Sequence, residues 1–277
     1  MKTIKLLSLY AAIIVLLASG CSKGGKQISI NSGTTMGPLM VKLIEFYNTS
    51  TGNDLQVKEN GSLKCLSLLI EGKNDIAVSS VKIPSVQLWE AQKRGISIKE
   101  IVVGYDIIIP IINRSNRIDN LFLGQLADIY SGLIKDWKDA GGKPGMITVV
   151  DRNDASGTKL VMDKTFFEIE SVVEGCVKKN CDSDVIAYVS KHPGAVGYIS
   201  QSFMNSSIKA ININGANTMM ENIENKSYPL CRELYIYVND KAYTGAIKSF
   251  IEFVLNKSGQ DILKQNGFIP VAQLQRS

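Results

Sequence analysis

The sequence predicts an α/β protein whose strands alternate with helices, lie mostly parallel, and divide into two lobes around a ligand cleft. Three observations carry this. Runs rich in β-branched residues are followed, repeatedly, by stretches with helical apolar spacing. Several of these strands run straight into a turn of Ser, Thr and Gly, and in an open α/β sheet ligands collect at the carboxyl ends of strands. The chain has 277 residues, 45% hydrophobic and 21% charged, which is enough for two lobes with their own cores.

Residues 1–20 read as an export leader. Lys2 and Lys5 supply the positive end, residues 6–17 are apolar except for Ser8 and Tyr10, and Ala18-Ser19-Gly20 supplies small residues. The apolar run is too short for a comfortable membrane span and fits a secretory signal. Small residues before Cys21 resemble the bacterial lipobox, which implies acylation of Cys21 and anchorage to a lipid bilayer. Ala18 stands where that motif prefers Leu, with Leu17 one place earlier. Residues 21–26 then form the lipidated Cys and a tether, Ser22-Lys23-Gly24-Gly25-Lys26.

The mature chain opens with a predicted strand over residues 27–31 and the turn Ser32-Gly33-Thr34-Thr35. A helix follows over 38–47, with Leu39, Leu43, Ile44 and Tyr47 on one face. Pro38 suits a first helical turn, where its missing N–H is not needed. A second strand, 55–58, enters Asn60-Gly61-Ser62 and a helix through Leu63, Leu66, Leu69 and Ile70. A third, 76–78, ends in Ser79-Ser80. Residues 101–113 form a long apolar run broken by Gly104, Asp106 and Pro110, read as a buried strand passing between lobes. A helix over 123–130 ends near Gly132. A strand over 147–150 ends at Asp151-Arg152-Asn153-Asp154-Ala155-Ser156-Gly157-Thr158, before a helix carrying Leu160, Val161, Phe166 and Phe167. Strands over 195–199 and 234–238 and helices over 247–255 and 260–265 close the chain.

Composition excludes several functions. The formal charge is +5, two units of it in the leader, and no Lys/Arg run is dense enough for nucleic acid. The single histidine, His192, precedes Pro193 as a surface turn residue, and zinc-ligand spacing is absent. Neither a metal nor a cofactor is expected. In an exported protein disulfides are permitted. Cys176 and Cys181 enclose a short loop that pairing could close, while Cys65 and Cys231 could stay free and buried.

A small tetrahedral oxyanion needs many fixed donors. Helix starts provide N–H groups and partial positive charge, hydroxyls add donors, and an Arg supplies a planar fork. Residues 152–158 contain all three. Arg152 ends a strand, Ser156 is a plausible N-cap, and Gly157 and Thr158 offer N–H groups, with Gly157 admitting close approach. Asp154 is the expected brace for the guanidinium, which is taken as the one full positive charge of the site. Each turn alone could equally be a helix cap.

Taken in order, the motifs resemble the phosphate-binding proteins that serve ABC phosphate importers. Gly33-Thr34-Thr35-Met36-Gly37-Pro38-Leu39-Met40 is similar to that family's first anion loop. Asn60-Gly61-Ser62 sits at its Gly-Ser-Gly turn, and Asp75-Ile76-Ala77-Val78-Ser79-Ser80 resembles its third loop. Residues 125–137 (QLADIYSGLIKDW), Arg152 to Thr158, His192-Pro193-Gly194-Ala195-Val196-Gly197-Tyr198 and the segments from Tyr228 and Gly259 onward match in turn. The resemblance spans residues 27–271. It implies a two-lobed periplasmic-binding-protein fold of type II, with lobe 1 from 27–109 plus 231–277 and lobe 2 from 110–230, crossing near Pro110 and Pro229-Leu230.

The resemblance also implies inorganic phosphate as ligand, held by Thr34, Thr35, Ser62, Ser80, Arg152, Ser156, Gly157 and Thr158. The implied partner is the permease of an ABC importer, the implied state a monomer. Two departures stand out. Ser80 lies where some members carry an Asp able to accept a phosphate proton, and Val81-Lys82 follows where others have an Arg, so Lys82 is a candidate replacement donor. Two other readings remain: the same fold binding sulfate or molybdate, and a hydrolase using Ser156, which would lack a Gly-x-Ser-x-Gly elbow.

Overall fold

The computed structural model describes residues 28–166 and 172–274; the leader, Cys21 and the tether lie outside the described residues. The chain begins β1 (Ser29–Gly33), α1 (Gly37–Thr51), β2 (Gln56–Asn60), α2 (Ser62–Ile70), β3 (Ile76–Ser79) and α3 (Ser85–Lys93). The long strand β4 (Ile98–Asn113) follows, then β5 (Asn120–Leu121), α4 (Leu123–Ser131), β6 (Thr148–Arg152), α5 (Gly157–Phe166), β7 (Val177–Lys179), α6 (Asp182–Val189) and β8 (Ala195–Ser200). It closes with β9 (Ile208–Ala210), β10 (Asn212–Ile213), α7 (Met220–Glu224), β11 (Cys231–Asn239), α8 (Gly245–Leu255), α9 (Lys257–Gln265), β12 (Ile269–Pro270) and α10 (Val271–Leu274).

The order across the main sheet is β2-β1-β3-β11-β4-β8-β6-β7. The flanks are parallel, β2-β1-β3 at one end and β8-β6-β7 at the other. The middle is antiparallel, because β11 and β4 carry the chain across it. β4 changes partner along its length: residues 98–107 pair with β11, and residues 108–112 with β8. One strand therefore belongs to two halves of the molecule.

Each half has its own core. In the first, alternate residues point to opposite faces of the sheet. Ile76, Val78, Leu234, Ile236 and Val238 pack under α1, α8 and α9, while Ala77, Tyr235 and Tyr237 pack under α2 and α3. A parallel sheet covered on both faces needs apolar residues on both, which is why β3 reads as a continuous buried run rather than an alternating one. The second half gathers Leu126 and Ile129 of α4, Met162 of α5, and Val185 and Val189 of α6 against β4, β6 and β8.

The sequence missed α3, α6, α7 and α10 and the short strands β5, β7, β9, β10 and β12. α3 buries just Ala91 along its length, so it has no apolar stripe to detect. All four described cysteines are free thiols, including Cys176 and Cys181. Burial pushes the Cys65 thiol up to about 12 and the Cys231 thiol up to about 11.

Candidate anion-binding site

Three helices begin where parallel strands end. β1 leads through Thr34 and Thr35 into α1, β2 through Gly61 into α2, and β6 through residues 153–156 into α5. Ser80 follows the end of β3. The helices start with free N–H groups aimed past the sheet edge. In the second half, Ser156 Oγ accepts from the Lys159 N–H at 3.3 Å and caps α5.

The turns from both halves meet. Arg152 Nη2 donates to Thr34 Oγ1 at 2.9 Å, and Thr35 Oγ1 lies 3.3 Å from Thr158 Oγ1. Ser62 Oγ accepts from the Ser80 N–H at 3.3 Å and is 3.5 Å from Ser80 Oγ. Two glycines make the approach possible. A side-chain carbon on Gly157 would fall 2.7 Å from Ser62 Oγ and 2.9 Å from Ser80 Oγ, and one on Gly61 would run into the Ala155 carbonyl. Thr34, Thr35, Ser62, Ser80, Arg152, Gly157 and Thr158 are thus brought together, with Ser156 buried beside them as the cap.

Arg152 is 1% exposed. Its Nη1 donates to Asp182 at 2.9 Å and its Nη2 to the Asn180 carbonyl at 3.1 Å as well as to Thr34. Its Nε is buried with no protein partner. A buried donor without an acceptor is costly, and the same guanidinium reaches the Thr34 hydroxyl through its Nη2. The brace is Asp182, in the first turn of α6, and not Asp154. Asp154 is 79% exposed and pairs instead with Lys178 at 3.2 Å, because the turn carries it outward. Lys82 is also not a donor here: it is 67% exposed and reaches Glu100 at 3.3 Å.

A second guanidinium joins the site, and the sequence reading missed it. Arg232, the second residue of β11, lies opposite Asp106 of β4. Its Nε and Nη2 donate to Asp106 Oδ2 at 3.0 and 2.7 Å, its Nη1 to Thr158 Oγ1 at 3.0 Å, and its Nη2 reaches Thr35 Oγ1 at 3.5 Å. Asp106 also accepts from Ser200 Oγ at 2.6 Å. Burial raises the Asp106 carboxyl above its ordinary range, against the pull of Arg232. The signal was present: a carboxylate inside an apolar strand needs a buried partner, and Arg232 is the charged residue at the head of the other long strand.

Ser200 closes the circuit, since its N–H donates to Asp182 Oδ1 at 2.8 Å. His192 takes no part; its Nδ1 contacts the Tyr188 carbonyl at 2.7 Å and its ring stacks on Tyr188. The fold is that of a two-lobed α/β binding protein, with hydrogen-bond donors from both halves lining the junction.

Comparisons with known proteins agree. Residues 18–258 match the PBP superfamily domain. Among curated relatives, the phosphate-binding protein PstS of Staphylococcus aureus (strain USA300) is 30% identical, the match covering 90% of this chain and 82% of that protein. PstS of Bacillus subtilis is 27% identical over 93% of this chain and 85% of its own. A solved structure of a Clostridium perfringens substrate-binding protein with bound phosphate superposes with a TM-score of 0.83. It is 30% identical and covers 88% of this chain and 99% of its own. An ABC-type phosphate transport receptor from Vibrio cholerae gives 0.74 at 29% identity over 88% of this chain and 99% of its own. The chain belongs to the PBP superfamily and, within it, to the PstS family of phosphate-binding proteins.

Proposed function

We propose that this protein captures inorganic phosphate and hands it to the membrane subunits of an ABC importer. The observation that carries the reading is the convergence of strand-end turns from both halves on Arg152, whose buried Nε has no protein partner. A tetrahedral anion entering there exchanges water for N–H groups at three helix starts, for the hydroxyls of Thr34, Thr35, Ser62, Ser80, Ser156 and Thr158, and for the Arg152 guanidinium. Such donors are strong when water is excluded and the acceptor is charged. Two buried arginines are each matched by a buried Asp, so the ion's charge is met mainly by dipoles.

The lobes we assign are 27–109 plus 231–277, and 110–230. Support comes from β4, which changes partner between Ile107 and Ile108, and from β11, which begins at Cys231. Closure of the two around the ion would form the surface that the permease reads. Acylated Cys21 would hold the protein, as a monomer, on the outer face of the membrane. Among the described residues no helix is long and apolar enough to cross it. Mass spectrometry of the membrane fraction should find Cys21 lipid-modified; an unmodified Cys21 would remove the anchor.

Catalysis is not part of the proposal. The Ser156 hydroxyl is engaged as a helix cap and His192 is engaged with Tyr188, so these two are not set against each other as nucleophile and base. A second ligand, sulfate, is kept in view by Ser80, which offers a hydroxyl where a carboxylate would demand a proton from the ion. A thermal-shift panel of phosphate, sulfate, arsenate and molybdate tests the assignment. Phosphate at about 100 times its Kd adds about 2.7 kcal/mol and several degrees of melting temperature. A larger shift with sulfate would overturn phosphate as the ligand.

A further inference from the structure

We propose that Arg232, held by Asp106, is a positioning residue for the anion: it fills the acceptor side of the Thr35 and Thr158 hydroxyls, so that the pair must donate a proton outward to the ligand. The inference rests on the phosphate-binding reading and names a residue that the sequence reading did not single out.

The argument is one of counting donors and acceptors. A threonine hydroxyl has one O–H to give and two lone pairs to fill. Arg232 Nη1 donates to Thr158 Oγ1 at 3.0 Å, and Nη2 reaches Thr35 Oγ1 at 3.5 Å. A guanidinium cannot accept, so neither hydroxyl can spend its proton on it. The two oxygens are 3.3 Å apart, which allows one O–H to be given from one threonine to the other. The second O–H then has to find an acceptor elsewhere, in a place where Thr35 and Thr158 are both buried. An anion oxygen meets that need, and buried hydroxyls are rarely left unpaired.

Arg232 is itself fixed. Asp106 takes its Nε and Nη2, and the two residues are cross-strand partners where β11 pairs with β4. With Asp106 and the threonines engaged, four of its five N–H groups are committed within the protein. One Nη1 N–H is left over; in the proposed arrangement Arg232 has its effect on the ion through the threonines, which its other donors hold. Thr35 follows β1 and Thr158 lies in α5, so the pair exists only with the two halves together. Arg232 ties the orientation of these donors to closure.

The test is a double-mutant cycle read by calorimetric titration with inorganic phosphate. Arg232→Gln should weaken binding about 10-fold or more in the wild-type background, as expected for loss of a charge-assisted bond. In a Thr35→Val/Thr158→Val background the same substitution should cost about 2-fold or less, because both of its routes to the ion are already gone. Arg232→Lys keeps the charge beside Asp106 and should melt near wild type without phosphate, yet still bind about 10-fold more weakly, since a point charge cannot serve both threonines. Should Arg232→Gln fail to fold, with Asp106 left uncompensated, Asp106→Asn with Arg232→Gln carries the cycle instead. Additive losses in the cycle, or wild-type affinity in Arg232→Lys, would overturn the inference. Absence of phosphate binding by the wild type would instead overturn the functional reading, and this inference with it.

Discussion

Arg152 and Arg232 occupy similar seats. Both are almost fully buried, both face a buried aspartate, and both donate to a threonine of the opposing turns. They differ in what is left over. The Arg152 Nε has no protein partner, whereas the Arg232 Nε is taken by Asp106 and both of its Nη groups donate within the protein. Their positions differ too. Arg152 ends a parallel strand at the mouth of a helix, the place where α/β sheets gather ligands; Arg232 sits in an antiparallel pair that joins the halves. A buried charge is thus not enough to mark a ligand contact. On the proposed reading, the unpartnered Nε marks Arg152 as the residue that holds the ion, and Arg232 as the one that orients its donors.

Substitutions can break or sharpen that contrast. Arg152→Ala should lower phosphate affinity by about 100-fold or more in calorimetric titration, since it removes the charged fork and leaves Asp182 unpaired. A loss no larger than that of Arg232→Gln would erase the distinction. Asp182→Asn should weaken binding about 10-fold and lower stability by about 3 kcal/mol in urea unfolding, as expected for one partner of a buried ion pair. Gly61→Ala should weaken binding about 5-fold while leaving ligand-free melting unchanged, because the added carbon meets Ala155 only where the halves touch. Unaltered affinity would mean that the halves need not come this close. Asp154→Ala is the contrast at the other extreme: its pair with Lys178 is on the surface, and affinity should stay within about 2-fold. A large loss there would restore Asp154 as the brace.

Much of this was legible in the sequence, for reasons that can be named. The turns at 33–35, 60–62, 79–80 and 152–158 were readable because each is local: a strand, a hydroxyl or glycine, then a helix start. The buried strand through Asp106 was readable as an interruption in an apolar run. What escaped depends on pairing between distant segments. Asp182 is 30 positions from Arg152, and Arg232 is 126 from Asp106; no spacing rule joins them. Asp154 looked like the brace because it was near in the chain, yet the turn after β6 points it to solvent. Helix α6, which carries Asp182, buries Val185, Ile186 and Val189 at helical spacing, a period that the sequence reading passed over.

The central claim is that turns from both halves wrap one anion around the free donor of Arg152. A crystal structure of the phosphate-loaded protein tests it most directly. The account predicts a single phosphate contacted by Thr34, Thr35, Ser62, Ser80 and the first turn of α5, with Arg152 Nε bonded to one of its oxygens. Phosphate bound at another surface, or held here with that nitrogen still unpartnered, would contradict it.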